Sequence, residues 1–204
     1  MKFLKEIMNK SLIGMILLLW LAIPVAAFAG TALETVKTQA DKVLDVLRDP
    51  ALKPESTKKV KIERIRSISE KMFDFTELSK RTLAKNWDTL NPDQQKEFAR
   101  LYRSLLEDAY ADKILSYSDE KIVFNKEVPL TEKTSEIQSA VLRKNGEIPI
   151  HYRVVLKGGT WKVYDVVIEG VSLISNYRSQ FREILMNKQP EALLDTLRRK
   201  VGNR

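Results

Sequence analysis

Trp161-Lys-Val-Tyr-Asp-Val-Val-Ile-Glu-Gly-Val-Ser-Leu-Ile-Ser-Asn-Tyr-Arg-Ser-Gln-Phe181 reads as a strand that stops at Glu169-Gly170 and passes at once into an amphipathic helix. Its first half alternates with a period of two: Trp161, Val163, Asp165 and Val167 on one face, Lys162, Tyr164, Val166 and Ile168 on the other. Its second half changes period. Leu173, Ile174, Tyr177, Phe181, Ile184 and Leu185 then share one helical face.

Working back from this stretch, the period of two predicts strands at Lys121–Lys126, Thr134–Lys144, Glu147–Lys157 and Thr160–Ile168. Lys144-Asn-Gly-Glu147 and Lys157-Gly-Gly-Thr160 have the two-residue loops of tight hairpins, which fix strand register and therefore face. The first turn is expected to pair Val141 with Ile150, Ser139 with Tyr152 and Ile137 with Val154. The second is expected to pair Leu156 with Trp161, Val154 with Val163, Tyr152 with Asp165 and Ile150 with Val167. Ile150, Tyr152 and Val154 thus lie on one apolar face, with Asp165 as its single acid. A buried carboxylate needs partners, and the Tyr152 hydroxyl or helix amides are the expected ones.

Helices are expected on both sides of these strands. Thr31-Ala-Leu-Glu34 has the form of a capping box, and Leu33, Val36, Ala40, Val43, Leu44 and Leu47 follow at helical spacing until Asp49-Pro50. A second helix is predicted from Pro54 to Met72, with Ile65, Ile68 and Met72 inward, and a short third starts at Asp74-Phe-Thr-Glu77. Asn91-Pro-Asp-Gln94 opens a fourth, which carries Phe98, Leu101, Tyr102, Leu105, Leu106 and Ala109 on one stripe. Two more follow the strands, one through Phe181 to about Met186 and a last from Pro190 to Val201. The expected fold class is α+β, a four-stranded antiparallel sheet with helices packed on one face.

The N-terminus reads as a secretion signal. Lys2, Lys5 and Lys10 precede the apolar run Leu12–Val25, and Ala27-Phe28-Ala29 supplies a small-x-small cleavage site. Residues 1–29 are expected to be removed, leaving 30–204 as a single domain in the periplasm. The chain's formal charge of +8 falls to +6 without that segment, which holds three lysines and one glutamate. There is no cysteine, so neither disulfides nor thiolate metal sites can form.

The motifs of common enzymes are missing. One histidine, His151, rules out a two-histidine zinc motif, and no nucleophile elbow, phosphate loop or dinucleotide fingerprint occurs. His151 falls on the more polar sheet face beside Arg153. No enzyme activity and no cofactor are expected; an enzyme built on carboxylates, Asp165 or Glu169, is the competing class. Lys58, Lys59, Lys61, Arg64 and Arg66 form the densest basic cluster. Interleaved glutamates and the expected export argue against nucleic acid there, leaving a solvated helix face or weak attraction to anionic lipids or acidic partners.

The opening stretch resembles the C-terminal signature of the MlaC, or toluene-tolerance, family of periplasmic phospholipid shuttles. Phe73-Asp-Phe-Thr-Glu-Leu-Ser-Lys-Arg-Thr-Leu83, Trp87 and Leu90-Asn-Pro-Asp-Gln-Gln-Lys-Glu-Phe98 resemble the same family, so the likeness runs from about Ala40 to Leu197. It implies a soluble carrier with acyl chains held in an apolar cavity between sheet and helices. It also implies two partners, an outer-membrane lipoprotein–porin complex and an inner-membrane ABC transporter with a lipid-binding component. Related families point to another apolar lipid, such as a hopanoid, as the alternative cargo. The cavity-wall residues expected on this basis are Ile150, Tyr152, Val154, Trp161, Val163 and Val167 from the sheet. Val171, Leu173 and Ile174 at the start of the following helix, with Leu105 and Leu106 from the fourth, complete the set.

Overall fold

The computed structural model describes residues 31–117, 120–144, 146–186 and 189–202. The expected signal segment lies outside the described residues. Helix α1 spans Ala32–Arg48, and the Thr31 hydroxyl accepts from the Glu34 amide at 3.2 Å, so the threonine half of the expected box forms. Asp49 ends the helix and caps a single 3-10 turn over Pro50–Leu52. The second helix does not run unbroken from Pro54: Glu55–Thr57 is a separate 3-10 turn, and α2 is Lys58–Met72. Helix α3 is Phe75–Leu83, capped by Asp74. Helix α4, Pro92–Leu115, carries the full capping box, with Asn91 and Gln94 each accepting from the other's backbone amide at 2.9 and 3.1 Å.

Strands β1 (Lys121–Thr131), β2 (Thr134–Arg143), β3 (Gly146–Lys157) and β4 (Thr160–Ile168) form an antiparallel meander. A two-residue strand β5, Val171–Ser172, folds back on Val167 and Ile168, so the sheet has five strands rather than four. Helices α5 (Leu173–Leu185) and α6 (Pro190–Gly202) complete the chain. Helix α1 lies directly along the sheet, whereas α4 stands farther off and meets α6, α3 and the core through long side chains.

Two registers differ from the sequence expectation. In the β2–β3 hairpin Arg143 pairs with Gly146, so Ile137 faces Tyr152, Ser139 faces Ile150 and Val141 faces Ile148. Pairs therefore slip by two residues, which preserves the face of every side chain. Gly146 adopts φ +133 as a strand residue, a conformation open to glycine, instead of serving as the second turn residue.

The β3–β4 hairpin keeps its expected pairs Leu156–Trp161 and Val154–Val163 and then bulges at Tyr164. Beyond the bulge Arg153 pairs with Asp165, Tyr152 with Val166, His151 with Val167 and Ile150 with Ile168. One extra residue reverses every later side chain. Asp165 and Val167 therefore leave the apolar face, and Val166 and Ile168 take their places.

The core lies between this inner sheet face and the helices. Phe98 and Tyr102 of α4 meet Phe181 of α5 with ring centroids 5.5 and 5.2 Å apart, edge to face, and Trp87 closes on Phe98 at 6.5 Å. Leu193, Leu194 and Leu197 of α6 pack into the same cluster.

Candidate functional site

Along the inner face of the sheet, packing is uneven. Ile137, Val154 and Val163 are sealed against the helices, yet Ile150, Tyr152, Phe124 and Ile168 join the same cluster while keeping accessible surface. Strand β3 is flanked by β2 and β4, so surface left on Ile150 and Tyr152 cannot belong to a sheet edge. It lies on the inner face, beside the sealed Ile137 and Val154. Phe124 stacks on Tyr152 at 6.5 Å with 24° between the rings, which makes a flat aromatic floor. Burial pushes the Tyr152 phenol up to about 12. Among the described residues its hydroxyl has no hydrogen-bond partner, and it is not among the sealed polar atoms. From the helix side, Leu105 and Tyr110 of α4 also pack against the core cluster and stay partly accessible, and burial also raises the Tyr110 phenol. The result is an apolar interlayer face with few polar atoms, on which Ile150, Tyr152 and Phe124 keep some accessible surface.

The sequence-predicted residues divide into three groups. Ile150, Tyr152, Val154, Trp161 and Val163 do share the inner face, and Leu105, Leu106 and Leu173 belong to the core cluster beneath the helices. Val167 sits on the opposite face, opposite His151 and Ser172. Val171 is exposed at 58 % and Ile174 is buried beside a polar groove, so neither faces the interlayer floor. Phe124 and Ile168 were not foreseen. Phe124 pairs with Ser139 only after two register shifts beyond the Glu132-Lys133 turn, between Thr131 and Pro129 and between Lys126 and Phe124.

Asp165 is 1 % exposed and fully committed. Its Oδ1 accepts from the Ile174 amide at 3.1 Å, and its Oδ2 accepts from the Ser172 hydroxyl at 2.6 Å and from Arg153 at 3.4 Å. Of the two expected partners, the helix amide is the one that forms; Tyr152 lies on the other side of the sheet. Ser172 in turn accepts from the Ser175 amide at 3.1 Å, capping α5. The carboxylate therefore neutralises the positive end of that helix and ties it to the sheet. His151 lies 3.6 Å from Glu136 on the outer face, apart from this serine and acid. In the basic cluster, Lys58, Arg64 and Arg66 pair with Glu55, Asp49 and both Glu63 and Glu107, respectively.

A family model described as MlaC protein matches residues 37–199. The chain belongs to the MlaC family. Within that family it is similar to the intermembrane phospholipid transport system binding protein MlaC of Haemophilus influenzae, 31% identical over 122 residues, 57% of this chain and 55% of that one. It is also similar to the toluene tolerance protein ttg2D of Pseudomonas putida, 25% identical over 95 residues, 46% of this chain and 44% of that one. The matched stretch thus spans about half the length of these relatives. Among solved structures, the phospholipid-binding protein of Ralstonia solanacearum, in complex with a phospholipid, has the same fold. The TM-score is 0.75 at 22% identity, covering 85% of this chain and 98% of that one.

Proposed function

We propose that this member of the family is a phospholipid carrier that holds acyl chains between the inner sheet face and the helices. The observation that carries the reading is the apolar surface that Ile150, Tyr152 and Phe124 keep on the inner sheet face, beside the sealed Ile137, Val154 and Val163. Two acyl chains of about 15 carbons each, at about 0.8 kcal/mol per methylene kept from water, are worth roughly 24 kcal/mol, so a lone phospholipid does not cross water at a useful rate. A carrier needs an apolar space and no reactive groups. The relatives' names, the solved complex and the commitment of Asp165 to helix capping all support carriage over catalysis.

The signal-like N-terminus supports a periplasmic location for this activity. There the carrier exchanges lipid between an outer-membrane lipoprotein–porin complex and the lipid-binding component of an inner-membrane ABC transporter. The test is transfer of a fluorescent phospholipid between donor and acceptor vesicles. Wild-type protein speeds transfer, and Ile150→Glu abolishes it while circular dichroism stays native. Equal transfer by the folded variant overturns the placement of the acyl chains.

A further inference from the structure

A polar groove of about 930 Å³ opens to solvent on the far side of β4, where α3, the β4–β5 corner and α5 converge. The β4 bulge creates it. Tyr164, turned outward, lies under Arg81, whose guanidinium carbon sits 4.0 Å from the ring centroid, and Glu77 holds the same Arg81 at 2.7 Å. Arg178 of α5 donates to the Arg81 carbonyl at 2.6 Å, tying the two helices across the groove. Lys80 has no hydrogen-bond or ion-pair partner among the described residues.

Four cations line the groove, Lys80, Arg81, Arg153 and Arg178, against two carboxylates, Glu77 and Asp165. Arg153 and Asp165 are spent on each other and on their neighbours, and Asp165 already fills the α5 N-terminus. What faces solvent without an acid partner is Lys80 of α3 and Arg178 of α5, with the Glu77-paired Arg81 between them and exposed Val171 at the rim. A compact anion would use one point of such a surface. A chain with carboxylates spaced along it would use all of it, and Arg81 is already fixed in place by its ring and its glutamate.

We propose that this groove docks an extended acidic segment of a partner protein, with Lys80, Arg81 and Arg178 pairing its carboxylates and Val171 receiving an apolar side chain. The site lies outside the interlayer, so it does not rest on the lipid reading. The test uses the full mature chain and a fluorescein-labelled peptide of alternating glutamate and leucine, followed by fluorescence anisotropy and by amide shifts. Saturable binding is expected, with shifts centred on residues 77–84 and 171–179. Lys80→Glu and Arg178→Glu should each weaken it about tenfold, and salt should weaken it further, as charge pairs at an interface rim do. Lipid content should stay at the wild-type level in both variants. The proposal is overturned if the peptide does not bind, if both variants bind it as wild type does, or if its shifts fall on Lys58–Lys61. It is equally overturned if phosphatidylglycerol vesicles or inorganic phosphate shift the groove amides and the peptide does not.

Discussion

Replacing Asp165 by alanine should destabilise the protein without altering what it can carry. The carboxylate is buried and receives the Ile174 amide, the Ser172 hydroxyl and Arg153 at 3.1, 2.6 and 3.4 Å. Hydrogen bonds to a charged group contribute about 1.5–3 kcal/mol each, but the variant no longer carries the carboxylate's desolvation cost. What remains is the buried Ile174 amide, left without an acceptor, and an Arg153 that loses one of its two acids. An unpaired buried amide costs about 1–3 kcal/mol, and half-exposed Arg153, still paired with Glu136, adds little to that. At roughly 2–4 °C per kcal/mol for a chain of this size, the melting temperature should fall on the order of 5 °C. Asp165→Asn keeps an acceptor for Ile174 and should lose about half as much. Thermal and urea unfolding of lipid-stripped protein reads both numbers, since bound lipid stabilises the native state by mass action. A loss under about 1 kcal/mol for the alanine variant refutes the clamp, because an unpaired buried amide alone costs that much. A lipid-directed turnover that vanishes in Asp165→Asn at unchanged stability would restore the enzyme reading.

Further outcomes separate core from interlayer. Val163 is 1 % exposed, so Val163→Glu should fail to fold, whereas Ile150→Glu should fold and lose lipid; circular dichroism with lipid extraction distinguishes them. The Tyr152 phenol should titrate near 12 by ultraviolet difference spectroscopy, and stability should decline between about pH 10 and 12, where only the unfolded tyrosine ionises. A Tyr152 titrating with the free phenols contradicts its burial. Burial pushes the Asp74 carboxyl up, but Lys157 at 2.8 Å and the Thr76 and Glu77 amides together hold it below its ordinary 3.8. Its contribution is present above that value and lost as pH falls through it, so Asp74→Asn should flatten the acid side of a urea-midpoint profile. Ala84 sits at φ 50, ψ −126, a region that strains any residue but glycine, and Ala84→Gly should raise stability by about 1 kcal/mol in urea unfolding.

Most helices were legible because their caps are chemical, Thr31, Asp74 and Asn91 all accepting a backbone amide as their sequence positions suggest; the Ser172 cap of α5 was not read. The Gly158-Gly159 turn set its register correctly for the same reason, since both glycines adopt positive φ. The bulge was hidden by composition. From Val163 onward both faces of β4 are buried, one by the core and one by α3 and α5, so alternation carries no sign of the switch at Tyr164. That one residue moved Asp165 and Val167 across the sheet and turned an expected cavity acid into a helix anchor. The interlayer was legible as a face and not as a space. Ile150 and Val154 look alike in sequence, yet one keeps accessible surface and the other is sealed.

Native mass spectrometry of the mature protein, purified without detergent and followed by lipid extraction, tests carriage most directly. A mass above that of the bare chain by one phospholipid is expected, extractable by organic solvent and missing from Ile150→Glu. Bare chain alone, both as purified and after incubation with phospholipid vesicles, would contradict it.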